Sequence, residues 1–113
     1  MKIYYNVGLL IRFGEKGMIL EVAILDIKQG MQAAYKDTFL KAKDIISAQS
    51  GFISLQLQKC FETESRYLLQ VQWETLEDRI EGFRQSASYH QWKELLHHFY
   101  DPFPTVEHYQ TIF

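Results

Sequence analysis

The sequence predicts an α+β domain, an antiparallel sheet with its helices laid on one face. Three observations carry that expectation. Short runs alternate apolar and polar residues, as strands with one buried face do. Between some of them the apolar spacing changes to three and four residues, the period of an amphipathic helix. Glycine, proline and small polar residues stand where the period changes. A chain of 113 residues has room for one domain and one core. Its hydrophobic fraction of 47%, with 15% aromatic, is enough to fill that core and argues against disorder.

Taken in order, Ile3, Tyr5, Val7, Leu9, Ile11 and Phe13 alternate and predict a strand, and Gly14-Glu15-Lys16-Gly17 reads as a turn. Met18 has the character of a start in its own right. Residues 1–17 are therefore read as an extension carrying an extra strand, and 18–113 as the domain proper. Met18 to Ile27 is a nearly continuous apolar run, as in a strand covered on both faces. Lys28-Gln29-Gly30 breaks it. Met31, Ala34, Tyr35, Thr38, Phe39, Ala42, Ile45 and Ile46 then follow helical spacing, and Ser50-Gly51 ends the helix.

Phe52 to Cys60 places Ile53, Leu55 and Leu57 on one face and Ser54, Gln56 and Gln58 on the other. After a polar turn, Arg66 to Glu74 gathers Tyr67, Leu69, Val71 and Trp73, so the two runs form a hairpin. Thr75 with Asp78 opens a helix, and Ser86 or Ser88 caps another through Tyr89, Trp92, Leu95, Leu96 and Phe99. Pro102 and Pro104 stop it, leaving Thr105 to Phe113 as a last strand. The order β-α-β-β-α-α-β is ferredoxin-like. The sheet's other face, with Ser54, Gln56, Gln58, Gln70 and Gln72 beside Leu68, is too apolar to be fully wet. Two such faces packed together make a barrel across a homodimer.

Net charge is -2 and the pI about 6.1, which argues against a nucleic-acid partner. Lys36, Lys41, Lys43, Arg66, Arg79, Arg84 and Lys93 are scattered among carboxylates and read as solvated faces. The single cysteine, Cys60, cannot form an internal disulfide and reads as a packing or surface thiol. No apolar run approaches the roughly 20 residues of a membrane span. The start lacks the full pattern of a signal peptide. The cytoplasm is the expected location.

The string RYLLQVQWETLEDRIEGFRQSASYHQW, Arg66 to Trp92, resembles the signature of the antibiotic biosynthesis monooxygenase family. There a strand ends in Trp-Glu, a helix follows, and a Ser-x-x-Tyr/Phe step leads into the last helix. Trp73-Glu74, Phe83, Ser86 and Tyr89 match. The resemblance runs from about Met18 to Tyr109. It implies a dimeric α+β barrel with a pocket between sheet and helices, and chemistry without metal or flavin on a small aromatic or quinol-like compound. In that chemistry a phenol or hydroquinone is deprotonated and its anion passes an electron to O₂. The haem-degrading branch of the family uses an Asn, a Trp and a His at positions that fall near Ala23, at Phe83 and near Lys93 here. This chain departs from that branch, and its only asparagine is Asn6.

His97 and His98 are the leading candidates for catalysis, with Tyr100 or Asp101 to orient them. The alternative is a pair of histidines that suit a helix C-terminus. Trp73, Phe83, Tyr89, Trp92 and Phe39 are candidate walls for a bound aromatic compound. The plainer reading of Trp73 and of the other aromatics is core packing, with the Trp73 N–H bonded locally. His90, Glu94 and His97 share a helix side and allow a metal as a lesser possibility. Glu21, inside the first strand, fits a place at the barrel interface paired with an Arg such as Arg66, or a base in the pocket. Two functions follow: a cofactor-free monooxygenase, or a non-catalytic homodimer that binds a small ligand or a partner.

Overall fold

The computed structural model describes residues 18–113. The strand expected within residues 1–17 lies outside them. Four strands, β1 (Ile19–Asp26), β2 (Phe52–Lys59), β3 (Arg66–Trp73) and β4 (Val106–Gln110), pair antiparallel in the order β2-β3-β1-β4. Helix α1 (Gln32–Ser47) crosses from β1 to β2, and α2 (Ala87–Leu96) precedes β4. This is the ferredoxin-like arrangement that the sequence pattern predicts.

The alternation in β3 sorts the faces. Tyr67, Leu69, Val71 and Trp73 are buried beneath the helices, together with Ala23 and Leu25 of β1. Helix α1 closes this side with Tyr35, Phe39, Ala42 and Ile46, and α2 with Trp92 and Leu96. Each large aliphatic or phenylalanine side chain among them contributes about 1.5–3 kcal/mol when fully buried. In the single chain β1 is covered by the helices on one face, and on the other Ile24, opposite Leu68, is 52% exposed.

Three local features differ from the sequence pattern. In β2 the pairing shifts between Phe52 and Ser54. Phe52, not Ile53, therefore joins the core, its ring edge-on to Trp73 at 6.0 Å. The helix after Thr75 is a short π-helical segment, Asp78–Phe83. Its wide turn, in which Arg84 N–H donates to the Arg79 carbonyl at 3.1 Å, turns both Arg79 and Phe83 inward. Third, α2 tightens into a 3₁₀ turn, His97–Phe99. Its N-cap is Ser86, whose Oγ accepts from Tyr89 N–H at 3.3 Å.

Candidate functional site

The candidate residues gather in one aromatic row between the helices and the sheet. Trp73 stacks on Phe83 with centroids 6.0 Å apart. Phe83 meets Tyr89 edge-on at 5.3 Å and Trp92 at 5.8 Å, and Trp92 meets Phe39 at 6.0 Å. Trp73, Phe83, Trp92 and Phe39 are all buried, while Tyr89 is half-buried. Trp73 and Phe83 are 0% and 1% exposed, so a ligand reaches them only if this packing opens.

Tyr89 leads to the end of α2, where His97 is half-buried. Its ring lies 6.2 Å from Tyr89, 6.1 Å from Tyr100 and 4.8 Å from Phe103, centroid to centroid. Burial, with Lys93 nearby, lowers the His97 pKa below the usual histidine value. Both influences favour the neutral imidazole. His98, one residue on, is exposed and packs against Phe99 at 4.1 Å. Tyr100 is buried, and its hydroxyl is 3.0 Å from that of Tyr35. It is thus partnered in the core rather than by His97. Burial pushes the Tyr100 phenol up to about 12. Asp101 is exposed.

A second polar centre lies at the other end of the row. Glu21, 5% exposed, accepts a hydrogen bond on Oε1 from Trp73 Nε1 at 2.8 Å. Arg79, 4% exposed, brings Nε to 2.6 Å from the same oxygen. His108 of β4 is the cross-strand partner of Glu21. Burial lowers its pKa, with Glu21 opposing and Arg79 and Arg84 reinforcing the shift.

Elsewhere, a surface cleft of about 540 Å³ lies between Gly30 and Lys36 at the start of α1 and Lys59, Glu64 and Tyr67 of the hairpin. None of the candidate site residues lines it. Cys60 is half-buried and accepts from Thr63 N–H at 3.4 Å. Among the described residues no group of three or more His, Cys, Asp or Glu side chains is placed to hold a metal. No helix among them is long and apolar enough to cross a membrane.

Residues 18–95 match the sequence model of the antibiotic biosynthesis monooxygenase family. This chain belongs to the antibiotic biosynthesis monooxygenase family. The protein YczJ of Bacillus subtilis (strain 168) is 53% identical over 95 residues, 84% of this chain and 100% of that one. A crystal structure from Bordetella bronchiseptica, assigned to antibiotic biosynthesis monooxygenases, superposes with a TM-score of 0.81 at 30% identity. The match covers 87% of this chain and 100% of that chain. SnoaB, a cofactor-independent oxygenase from Streptomyces nogalater, superposes with a TM-score of 0.66 at 16% identity, over 85% of this chain and 97% of its own. At that identity the likeness is one of fold.

In this antibiotic biosynthesis monooxygenase family member, two expectations about charge need correction. Glu21 faces the helices rather than the open sheet face, because it shares the inward set of β1 with Ala23 and Leu25. Its cation is Arg79, not Arg66, which pairs with Asp26 instead. Arg79 is consequently not on a solvated face. The sequence did hold a signal. Arg79 is four residues before Phe83, so both project to one side, and a carboxylate in an apolar strand needs an inward-facing cation.

Proposed function

We propose that this protein is a cofactor-independent monooxygenase acting on a small electron-rich aromatic or quinol-like compound. His97 takes the phenolic proton, and the resulting anion passes an electron to O₂. The radical and superoxide join as a hydroperoxide at a ring carbon that bears hydrogen. Loss of water then leaves a carbonyl there, so the substrate supplies all four electrons and the second oxygen atom leaves as water. Tyr89, Tyr100 and Phe103 wall the reacting ring. The support for this reading is the setting of His97, a half-buried imidazole held neutral within an aromatic surround. His98, exposed on the outside of the same turn, is not required. The working unit in this reading is a homodimer formed through the open sheet faces.

One observation favours a second reading, a non-catalytic homodimer that binds a small ligand or a protein partner. Trp73 and Phe83 fill the space between the layers with their own stacked rings. Oxygen uptake separates the two readings. Metal-stripped protein is given a panel of hydroquinones and polycyclic phenols, beside a His97→Ala variant. Acceleration by the wild type, lowered by about a hundredfold in the variant, is the outcome expected of a general base. Because the His97 pKa is lowered, the acid limb of the rate profile should lie below pH 6.5. If no compound is turned over faster than without protein, the binding reading stands in its place.

A further inference from the structure

Buried donors without partners are uncommon in folded proteins, because each forgoes the hydrogen bond it made in water. Arg79 carries two such nitrogens, and beside them His108 has a ring nitrogen that donates in one of its two neutral tautomers. Arg79 Nη1 and Nε and His108 Nε2 are buried and make no hydrogen bond among the described residues. Arg79 Nε is close to Glu21 Oε1, at 2.6 Å, but lacks the alignment of a hydrogen bond. That oxygen already accepts from the Trp73 indole.

The other carboxylate–arginine pair shows what a saturated contact looks like here. Arg66 forks onto Asp26, with Nε–Oδ1 at 2.8 Å and Nη2–Oδ2 at 3.3 Å. A pair serving stability alone gains most from such two-point geometry. Arg79 is far more deeply buried, where an unmade bond costs more, yet its Nη1 is left over. His108 approaches from β4, directly across from Glu21 and on the same sheet face, so its side chain is an immediate neighbour of that carboxylate.

Charge points the same way. Glu21 and Arg79 offset each other, while Arg84 adds a positive charge felt at His108. Arg79 and Arg84 thus outnumber Glu21 among the charges that act on His108, which favours an anion there.

We propose that Arg79 and His108 bind a monoanionic oxygen ligand, a carboxylate or a phenolate, with Arg79 Nη1 and His108 Nε2–H as the donors. Glu21 and Trp73 are positioning residues that hold the guanidinium. The site lies across the Trp73–Phe83–Tyr89 row from His97, and it stands whether or not His97 is a base.

The test uses the full chain with ¹⁵N-labelled arginine, titrated with benzoate, 4-nitrophenolate and neutral benzamide. Both anions, or one of them, should shift the Arg79 Nε–H resonance saturably, and benzamide should not. Whichever anion acts assigns the ligand to carboxylates or phenolates. By calorimetry, His108→Leu should weaken that binding by about tenfold through loss of one donor to an anion. The double variant Glu21→Gln/Arg79→Met should abolish it, and it avoids leaving a lone buried carboxylate. If the double variant does not fold, His108→Leu, on the edge strand, decides alone. An Arg79 resonance that neither anion moves overturns the proposal, as does wild-type affinity in folded His108→Leu. Arg79–Glu21 would then be an ion pair of the fold only.

Discussion

Tyr35 shows how much one side chain settles in this protein. Its ring touches Phe39, Tyr67, Phe99 and Tyr100, and its hydroxyl meets the Tyr100 hydroxyl at 3.0 Å. Removing that hydroxyl in Tyr35→Phe leaves a buried Tyr100 hydroxyl alone and should cost about 1 kcal/mol in urea denaturation. Burial raises both phenols, Tyr100 to about 12, while an unfolded tyrosine ionises near 10.0. Above pH 10.0 the unfolded chain therefore holds fewer protons than the folded one, and stability falls as pH rises. The loss should begin near pH 10.0 and be smaller in a Tyr35→Phe/Tyr100→Phe variant. An identical alkaline profile in wild type and variant would contradict this assignment. Tyr35 was legible as core because it sits in the helical apolar period. Arg79 was not, because composition reports its charge but not the side of the turn it occupies.

At the scale of elements, periodicity located the four strands of residues 18–113 and both helices, and it left the cap of α2 open between Ser86 and Ser88, of which the structure uses Ser86. It missed the register shift in β2 and the π-helical segment, since both add a residue without changing the residue types. Both features meet at the turn after α1. Gly51 has φ +82°, and a Cβ there would run into the side chain of Asp78. Asp78 cannot move away freely, because Thr75 Oγ1 donates to its Oδ2 at 2.9 Å and accepts from its N–H at 3.0 Å. Gly30 shares the same φ of +82°, but a methyl group there would meet nothing within 4 Å. Gly30→Ala should therefore cost only the backbone strain, about 1 kcal/mol, while Gly51→Ala adds a clash and should cost about 2–3 kcal/mol. Paired thermal melts give the comparison, and equal losses would show that Asp78 yields without resistance.

Over the whole molecule, the side of the sheet away from the helices is the least settled surface. Leu20, Val22 and Leu68 are half-buried there, Ile24 is 52% exposed, and Tyr109 of β4 extends the apolar strip. Glutamine and serine lie beside them, with Ser54 Oγ donating to Gln72 Oε1 at 2.8 Å. Such a face follows from the alternation along β3 and along β2 from Ser54 onward, so its composition was readable from the chain. Its partner was not, because a single sequence states which residues face out and not what they meet. A second copy is the occupant that the proposed homodimer requires, and burying apolar residues together on both copies supplies the driving force. Sedimentation should find the wild type dimeric, with a melting temperature that rises with protein concentration. Ile24→Glu would place like charges within the barrel and should yield a monomer whose melting temperature no longer depends on concentration. Helix-facing residues are untouched by that change, so a folded monomer is the expected product. A variant that remains dimeric would place the contact on another surface and leave this face bare.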